Sequence, residues 1–265
     1  MDARPQELTS PEKAHTTSLE RAFAILEYLD GSRRGQNISE LSRRLGIPKS
    51  TTHVIVGTLR RLGYLAFNER KRGYSLGLKV YGLGRGLIKS FRLPEQALGP
   101  MQSLADSTRC TCQLAILVDE QAMYIQKVEG LGATPFDTYI GKRTNLHCTG
   151  VGKVLLAYAA DPEYLLNRKS FARYTKKTIT SPMLLRRELG KVRQKGYALD
   201  DEEEELEVRC LAAPVFGQSG ECLAALAIAG TTTELHDDKL EEFAICLLRT
   251  TKTISNKAKA ALSAS

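Results

Sequence analysis

Three stretches carry residue types at spacings suited to chemistry. Leu146-His147-Cys148-Thr149-Gly150-Val151-Gly152-Lys153 sets small residues ahead of an apolar run, so free amides at a helix start would offer a site for a carboxylate. It is not a nucleotide loop, which would need glycine at His147 and a hydroxyl at Val154. Taken alone, Gly150 and Gly152 are as readily explained by tight helix packing. The second stretch is Asp200-Asp201-Glu202-Glu203-Glu204-Glu205, where Glu202 to Glu205 read as a solvated face and Asp200, at the run's start, stands apart. The third is Val208-Arg209-Cys210-Leu211-Ala212-Ala213-Pro214-Val215-Phe216, in which Cys210 lies on a buried strand and is by itself only a small core residue. A nucleophile at Cys210 or Cys148 with His147 as base lacks a third group to orient the base, so no enzyme is expected.

A different chemistry is written between Ile38 and Leu65. Two apolar-periodic segments flank Gly46-Ile47-Pro48, the pattern of a helix-turn-helix. Ser39 is expected to cap the first helix, and Thr52, Ile55, Leu59 and Leu62 to form the inward face of the second. The outward face then presents Ser50, Thr51, His53, Val54 and Gly57, with Lys49, Arg60 and Arg61 at its margins. Short groups reach base edges, cations meet phosphate, and Val54 suits a thymine methyl. Tyr64 to Phe67 and Tyr74 to Leu76 flank a basic turn, Arg70, Lys71 and Arg72, which reads as the wing of a winged helix.

Charge agrees with that assignment. The 265 residues carry a formal net charge of +8, yet residues 1 to 93 hold 17 Lys and Arg against 8 Asp and Glu. The basic excess therefore belongs entirely to the half with the helix-turn-helix, as a phosphate backbone requires. A membrane surface is the competing polyanion. No apolar run nears 18 residues and the N-terminal residues are polar, so a cytoplasmic protein with no membrane partner is expected. Six cysteines without a paired framework are expected to be reduced, and four histidines do not assemble a zinc site; no metal or cofactor is expected.

The elements that position these groups follow in order. Residues 1–17 read as a disordered arm, and Ser18 as the cap of a helix ending at Gly31. Residues 18–77 form the DNA-binding domain, and 78–93 a linker helix weakened by Gly82, Gly84 and Gly86. Residues 94–265 form the second domain. There a helix over 95–107 precedes a hairpin of 112–118 and 122–128, further strands at 138–141, 209–216 and 221–229, and helices at 150–159, 182–195 and 236–262. The expected fold class is α+β: an N-terminal winged helix-turn-helix joined by a linker helix to a GAF/PAS-like antiparallel-sheet domain, a container for a small molecule.

The sequence resembles the IclR family of bacterial transcription regulators from Ser18 onward. The resemblance rests on Ser18-Leu19-Glu20-Arg21-Ala22, Pro48-Lys49-Ser50-Thr51-Thr52-His53, Leu146-His147 with Gly150 and Gly152-Lys153, and Ser181-Pro182. It rests above all on Gly196-Tyr197-Ala198-Leu199-Asp200-Asp201-Glu202-Glu203 leading to Arg209 through Phe216. It implies a dimer or tetramer on double-stranded operator DNA, modulated by a small organic acid, as repressor or activator. It further implies that amides at Gly150 and Val151 hold the acid's carboxylate and that Asp200 and Cys210 complete the pocket. The full set of effector residues so expected is Phe136, Thr149, Gly150, Val151, Asp200, Val208, Cys210, Ala227 and Ala229. Family members that bind small oxoacids have serines where Ala227 and Ala229 stand, which points here to a larger or less polar acid, aromatic or sugar-derived. Val54 also replaces a common basic residue, so the operator sequence does not carry over.

Overall fold

The computed structural model describes residues 17–262 except 33, 71, 84–91 and 169. The chain divides into two compact units, Met1–Ser90 and Phe91–Ser265.

In the first unit, α1 (Ser18–Asp30), α2 (Ile38–Leu45) and α3 (Lys49–Arg61) precede the hairpin of β1 (Leu65–Asn68) and β2 (Gly73–Leu76). Both N-terminal caps differ from expectation. Thr17, not Ser18, caps α1, and Asn37, not Ser39, caps α2, because each has a glutamate three residues on, Glu20 and Glu40, which returns a hydrogen bond to the cap's own amide. Thr17 thus belongs to the helix rather than to an arm. Gly46 ends α2 at φ +64°, in the left-handed region that a glycine enters without steric cost. The inward face of α3 is Thr52, Ile55, Val56 and Leu59, packed on Ile25, Leu29, Leu41 and Ile47. Val56 takes the place expected of Leu62, which is exposed because it lies past the end of the helix. In the hairpin Leu65 pairs with Leu76 and Phe67 with Tyr74. Residues 78–83 are helical, whereas half of the proposed linker, with Gly84 and Gly86, lies outside the described residues.

The second unit is built on a six-stranded antiparallel sheet. In chain order its elements are α4 (Leu93–Thr108), β3 (Thr111–Val118), β4 (Gln121–Val128), β5 (Arg143–Thr144), α5 (Gly150–Ala157), α6 (Pro162–Arg168), α7 (Pro182–Lys195), β6 (Ala198–Asp201), β7 (Val208–Phe216), β8 (Cys222–Thr231) and α8 (Asp237–Leu262). The strand order is β5-β4-β3-β8-β7-β6. Alternation along the central strands supplies both faces. Leu226 and Ile228 pack with Met101 of α4 and Leu247 of α8, while Ala225, Ala227 and Ala229 face Val151 and Val154 of α5. The small residues on that second face let α5 lie close to the sheet. The fold is therefore α+β, with helices over both faces of the second unit's sheet.

Three elements differ from expectation. The strand at 138–141 does not form, because Gly141 turns the chain at φ +96° and only Arg143 and Thr144 pair with Met123 and Ala122. The short helix α6 and the edge strand β6 were not anticipated. The cysteines are all free thiols, four of them buried.

Candidate functional sites

The recognition surface of the first unit is set by burying one side of α3. Ser39, Lys49, Ser50, His53, Gly57, Arg60 and Arg61 are exposed, and Thr51 is half-buried. Val54 is 67% exposed and also borders an apolar groove that includes Leu19, Phe23 and Leu62, so it stands at the edge of the outward face. Arg60 stacks over the Phe67 ring at 5.3 Å, which ties the end of α3 to the wing. Arg70 and Arg72 are exposed at the wing's turn, Arg72 at φ +47°, and Lys71 lies outside the described residues.

The second unit encloses a cavity of about 230 Å³. Its back wall is a row across the sheet, made by strand register: Asp200 on β6 opposes Cys210 on β7, which opposes Ala229 on β8. Of the effector residues expected from sequence, Phe136, Thr149, Asp200, Val208, Cys210 and Ala229 line it. Gly150, Val151 and Ala227 are buried next to it without lining it. At Gly150 a Cβ would meet Cys210 Sγ at 2.9 Å, and the Gly150 amide hydrogen-bonds that sulfur. Glycine is thus needed for α5 to approach β7. Thr149 caps α5, accepting from the Gly152 amide at 3.0 Å and donating to Asn145 O at 2.6 Å.

The remaining lining comes from residues with no role expected from their sequence context. Gln113, Tyr124, Asp137, Thr138, Lys142, Arg143, Thr144, Asn145, Glu204 and Glu205 complete it, mostly from the segment leading into β5 and from the acidic loop after β6. Gln113 donates to Thr138 Oγ1 at 2.7 Å, a hydrogen bond between β3 and that segment.

The acidic run is not one solvated face. Glu202 pairs with Lys177, and Glu205 is exposed. Glu203 is only 6% exposed and pairs with Lys153, which is fully buried and also donates to Leu199 O. Glu204 bends into the cavity and accepts from Thr144 Oγ1 at 2.8 Å. These corrections share one cause: buried charges need partners, and the partners lie about 50 and 60 residues away.

Burial sets the protonation states. Desolvation lifts Asp200 to about 8, against the opposing effects of the Glu203 amide, which donates to Oδ1 at 2.8 Å, and of Lys153. Glu204 is raised as well, chiefly by burial. Burial pushes the Cys210 and Cys148 thiols far up, so neither is a thiolate nucleophile. His147 Nε2 donates to Ala172 O at 2.9 Å and its ring packs on Phe171. The wall of this cavity therefore offers hydrogen-bond donors and acceptors, not an activated nucleophile.

A winged helix with an exposed basic recognition face, carried on the same chain as an antiparallel-sheet unit enclosing a polar cavity, defines a one-chain DNA-binding regulator with a small-molecule sensor. Residues 18–69 match the IclR helix-turn-helix domain, and residues 86–256 match the C-terminal domain of the bacterial transcriptional regulator IclR. The chain belongs to the IclR family of bacterial transcriptional regulators. It is 34% identical over 228 residues to the HTH-type transcriptional regulator XynR of Escherichia coli, covering 85% of this chain and 90% of that one. It is also 34% identical over 241 residues to KdgR of the same organism, covering 90% and 91%. Among solved structures it superposes with a TM-score of 0.84 and 25% identity on an IclR homologue from Microbacterium hydrocarbonoxydans complexed with 4-hydroxybenzoate, covering 92% of this chain and all of that one. No helix among the described residues is long and apolar enough to cross a membrane.

Proposed function

We propose that this protein binds double-stranded operator DNA in the cytoplasm as a homodimer or a tetramer of paired dimers, through the outward face of α3 and the wing, and that a small organic acid in the second unit's cavity shifts that binding. Residues 18–77 act as the reading domain, 78–93 as the connection and 94–265 as the sensor. The observation that carries the reading is the 230 Å³ cavity: a small, partly open pocket whose wall includes Thr149 at the start of α5, Asp200, Cys210 and Ala229. Its size suits a metabolite of a few carbons rather than a drug-sized molecule.

The lining favours a hydroxylated, sugar-derived acid over an aromatic one. Gln113, Thr138, Thr144, Asn145, Asp200 and Glu204 all bring polar groups to the wall; several already bond one another, Gln113 to Thr138 and Thr144 to Glu204, and the acceptor positions that remain are met by ligand hydroxyls and not by an apolar ring. Asp200, carrying its proton at neutral pH, donates a hydrogen bond to the ligand carboxylate. Lys142 and Arg143 supply compensating positive charge. The acid acts by population shift, binding one arrangement of the regulator more tightly than the other.

The test is fluorescence anisotropy on DNA from upstream of the protein's own gene, with aliphatic, sugar-derived and aromatic acids added, 4-hydroxybenzoate among them. One class of acid is expected to shift the affinity. Absence of specific binding over competitor DNA, with or without every acid, would end the regulator reading.

A further inference from the structure

The cavity holds an acid ligand in this reading, yet its wall carries the carboxyls of Asp137, Asp200, Glu204 and Glu205, and Glu204 is the one whose charge acts directly on Asp200 from within the acidic loop. A site that needed only to retain a carboxylate would bind more tightly without it, since like charges in a small pocket repel. Glu204 is also not placed there merely as part of a solvated run. Glu202 pairs with Lys177 and Glu203 with Lys153, and Glu205, which also borders the cavity, is exposed, whereas Glu204 is half-buried and bonded into the wall. It is held there by Thr144 Oγ1, which donates to Oε1 at 2.8 Å, and by Asn145. A carboxylate has about four acceptor positions. Two are taken by these neighbours, so acceptor capacity remains for whatever fills the cavity.

We propose that Glu204 is a specificity-determining residue of the effector cavity, accepting hydrogen bonds from hydroxyl groups of a polyhydroxylated acid and rejecting acids that lack them. The inference rests on the reading of the cavity as an effector site. Its physical basis is an asymmetry. An acid with hydroxyls satisfies Glu204 as water leaves, whereas an alkyl or aryl chain strips its water and gives nothing back. The charge that costs every acid something is thereby recovered only by hydroxylated ones.

Isothermal titration calorimetry on the full chain tests this with probes of equal charge: four- to six-carbon aldonic acids, the unsubstituted alkanoic acids of the same lengths, and 4-hydroxybenzoate. At least one aldonate is expected to bind wild type more tightly than its alkanoate counterpart. In Glu204→Gln, which keeps the size and one acceptor oxygen, that aldonate is expected to lose about tenfold or more in affinity while alkanoates are unchanged or gain. Glu204→Asp, which withdraws the carboxyl by one methylene, is expected to fall between and guards against a folding defect in the first variant. Aldonate affinity that is unchanged, or that tightens in step with every other acid, would make Glu204 a bystander charge and overturn the proposal. Binding of alkanoates or 4-hydroxybenzoate but of no aldonate would overturn it too, while leaving the effector site standing. Binding of no acid of any class would remove both.

Discussion

Asp200→Asn is expected to make the protein more stable, and more so as pH rises. The carboxyl is 4% exposed, and burial raises it from an ordinary 3.8 to about 8. A raised carboxyl binds its proton more tightly when folded, so its cost is absent below pH 4 and grows up to pH 8, where the folded form finally ionises. Over the span from 3.8 to about 8, at about 1.4 kcal/mol per pH unit, the cost is at most about 6 kcal/mol. Asparagine keeps an oxygen to accept from the Glu203 amide, as Asp200 Oδ1 does at 2.8 Å, and keeps a donor without a charge. The variant should therefore match wild type at or below pH 4 and melt progressively higher as pH rises to 8, by about 2 to 4 °C for each kcal/mol of cost removed. Differential scanning calorimetry of the full chain from pH 5 to 8.5 measures this, with the difference between the two proteins removing the contribution of every other titrating group. A variant that melts lower than wild type at pH 8, or shows the same pH slope, would mean that Asp200 is ionised and stabilised by Lys153. The carboxylate-donating role assigned to it would then fall.

Other predictions follow from the same geometry. Lys153→Met leaves Glu203 buried with no counter-charge and should cost about 3 to 5 kcal/mol in urea denaturation, while Lys153→Met with Glu203→Leu should recover most of it. Gly152→Ala would put a Cβ 2.3 Å from Asn145 O and 2.6 Å from Leu146 Cα, both backbone atoms, so the second unit should lose its cooperative melting transition. Gly150→Ala meets Cys210 Sγ at 2.9 Å, and should leave a folded protein whose DNA binding no longer responds to any acid. Arg61→Ala and Arg70→Ala should weaken specific and non-specific DNA alike and each lower the salt slope of log K by about 1, whereas Ser50→Ala or His53→Ala should cost about 1 to 3 kcal/mol on operator DNA only. Equal losses on both kinds of DNA for His53→Ala would remove it from the reading face.

The winged helix was legible because its determinants are local. The periods of α2 and α3, the glycine at 46 and the basic turn all fall within a few residues of what they specify, and burial of one face dictates which residues remain outward. Even the misplaced caps had a local signal: Asn37 and Glu40 are three apart, as are Thr17 and Glu20, whereas Ser39 has Ser42 at that spacing.

The cavity was legible only where an element's own sequence marked it. Thr149 and the glycines announced a helix start near it, and Asp200 with Cys210 stood out through family resemblance. The acidic run shows why the rest was hidden. Five consecutive carboxylates after Asp200 have separate fates, decided by Lys153, Thr144 and Lys177, none of which their local pattern names. The alanines show a further effect of register. Ala227 and Ala229 lie on the same face of β8, yet only Ala229, in the row with Cys210 and Asp200, reaches the cavity; Ala227 pairs with Ala212 and Gln113 and is covered. Two alanines in place of serines suggest a less polar pocket, but only Ala229 reaches the wall, and Gln113, Thr138, Thr144 and Asn145 bring polar groups to it. Polarity of a site is thus a property of what the sheet's register and the crossing loops bring together. That is why this wall argues for a hydroxylated acid where the alanine pair alone argued for an apolar one.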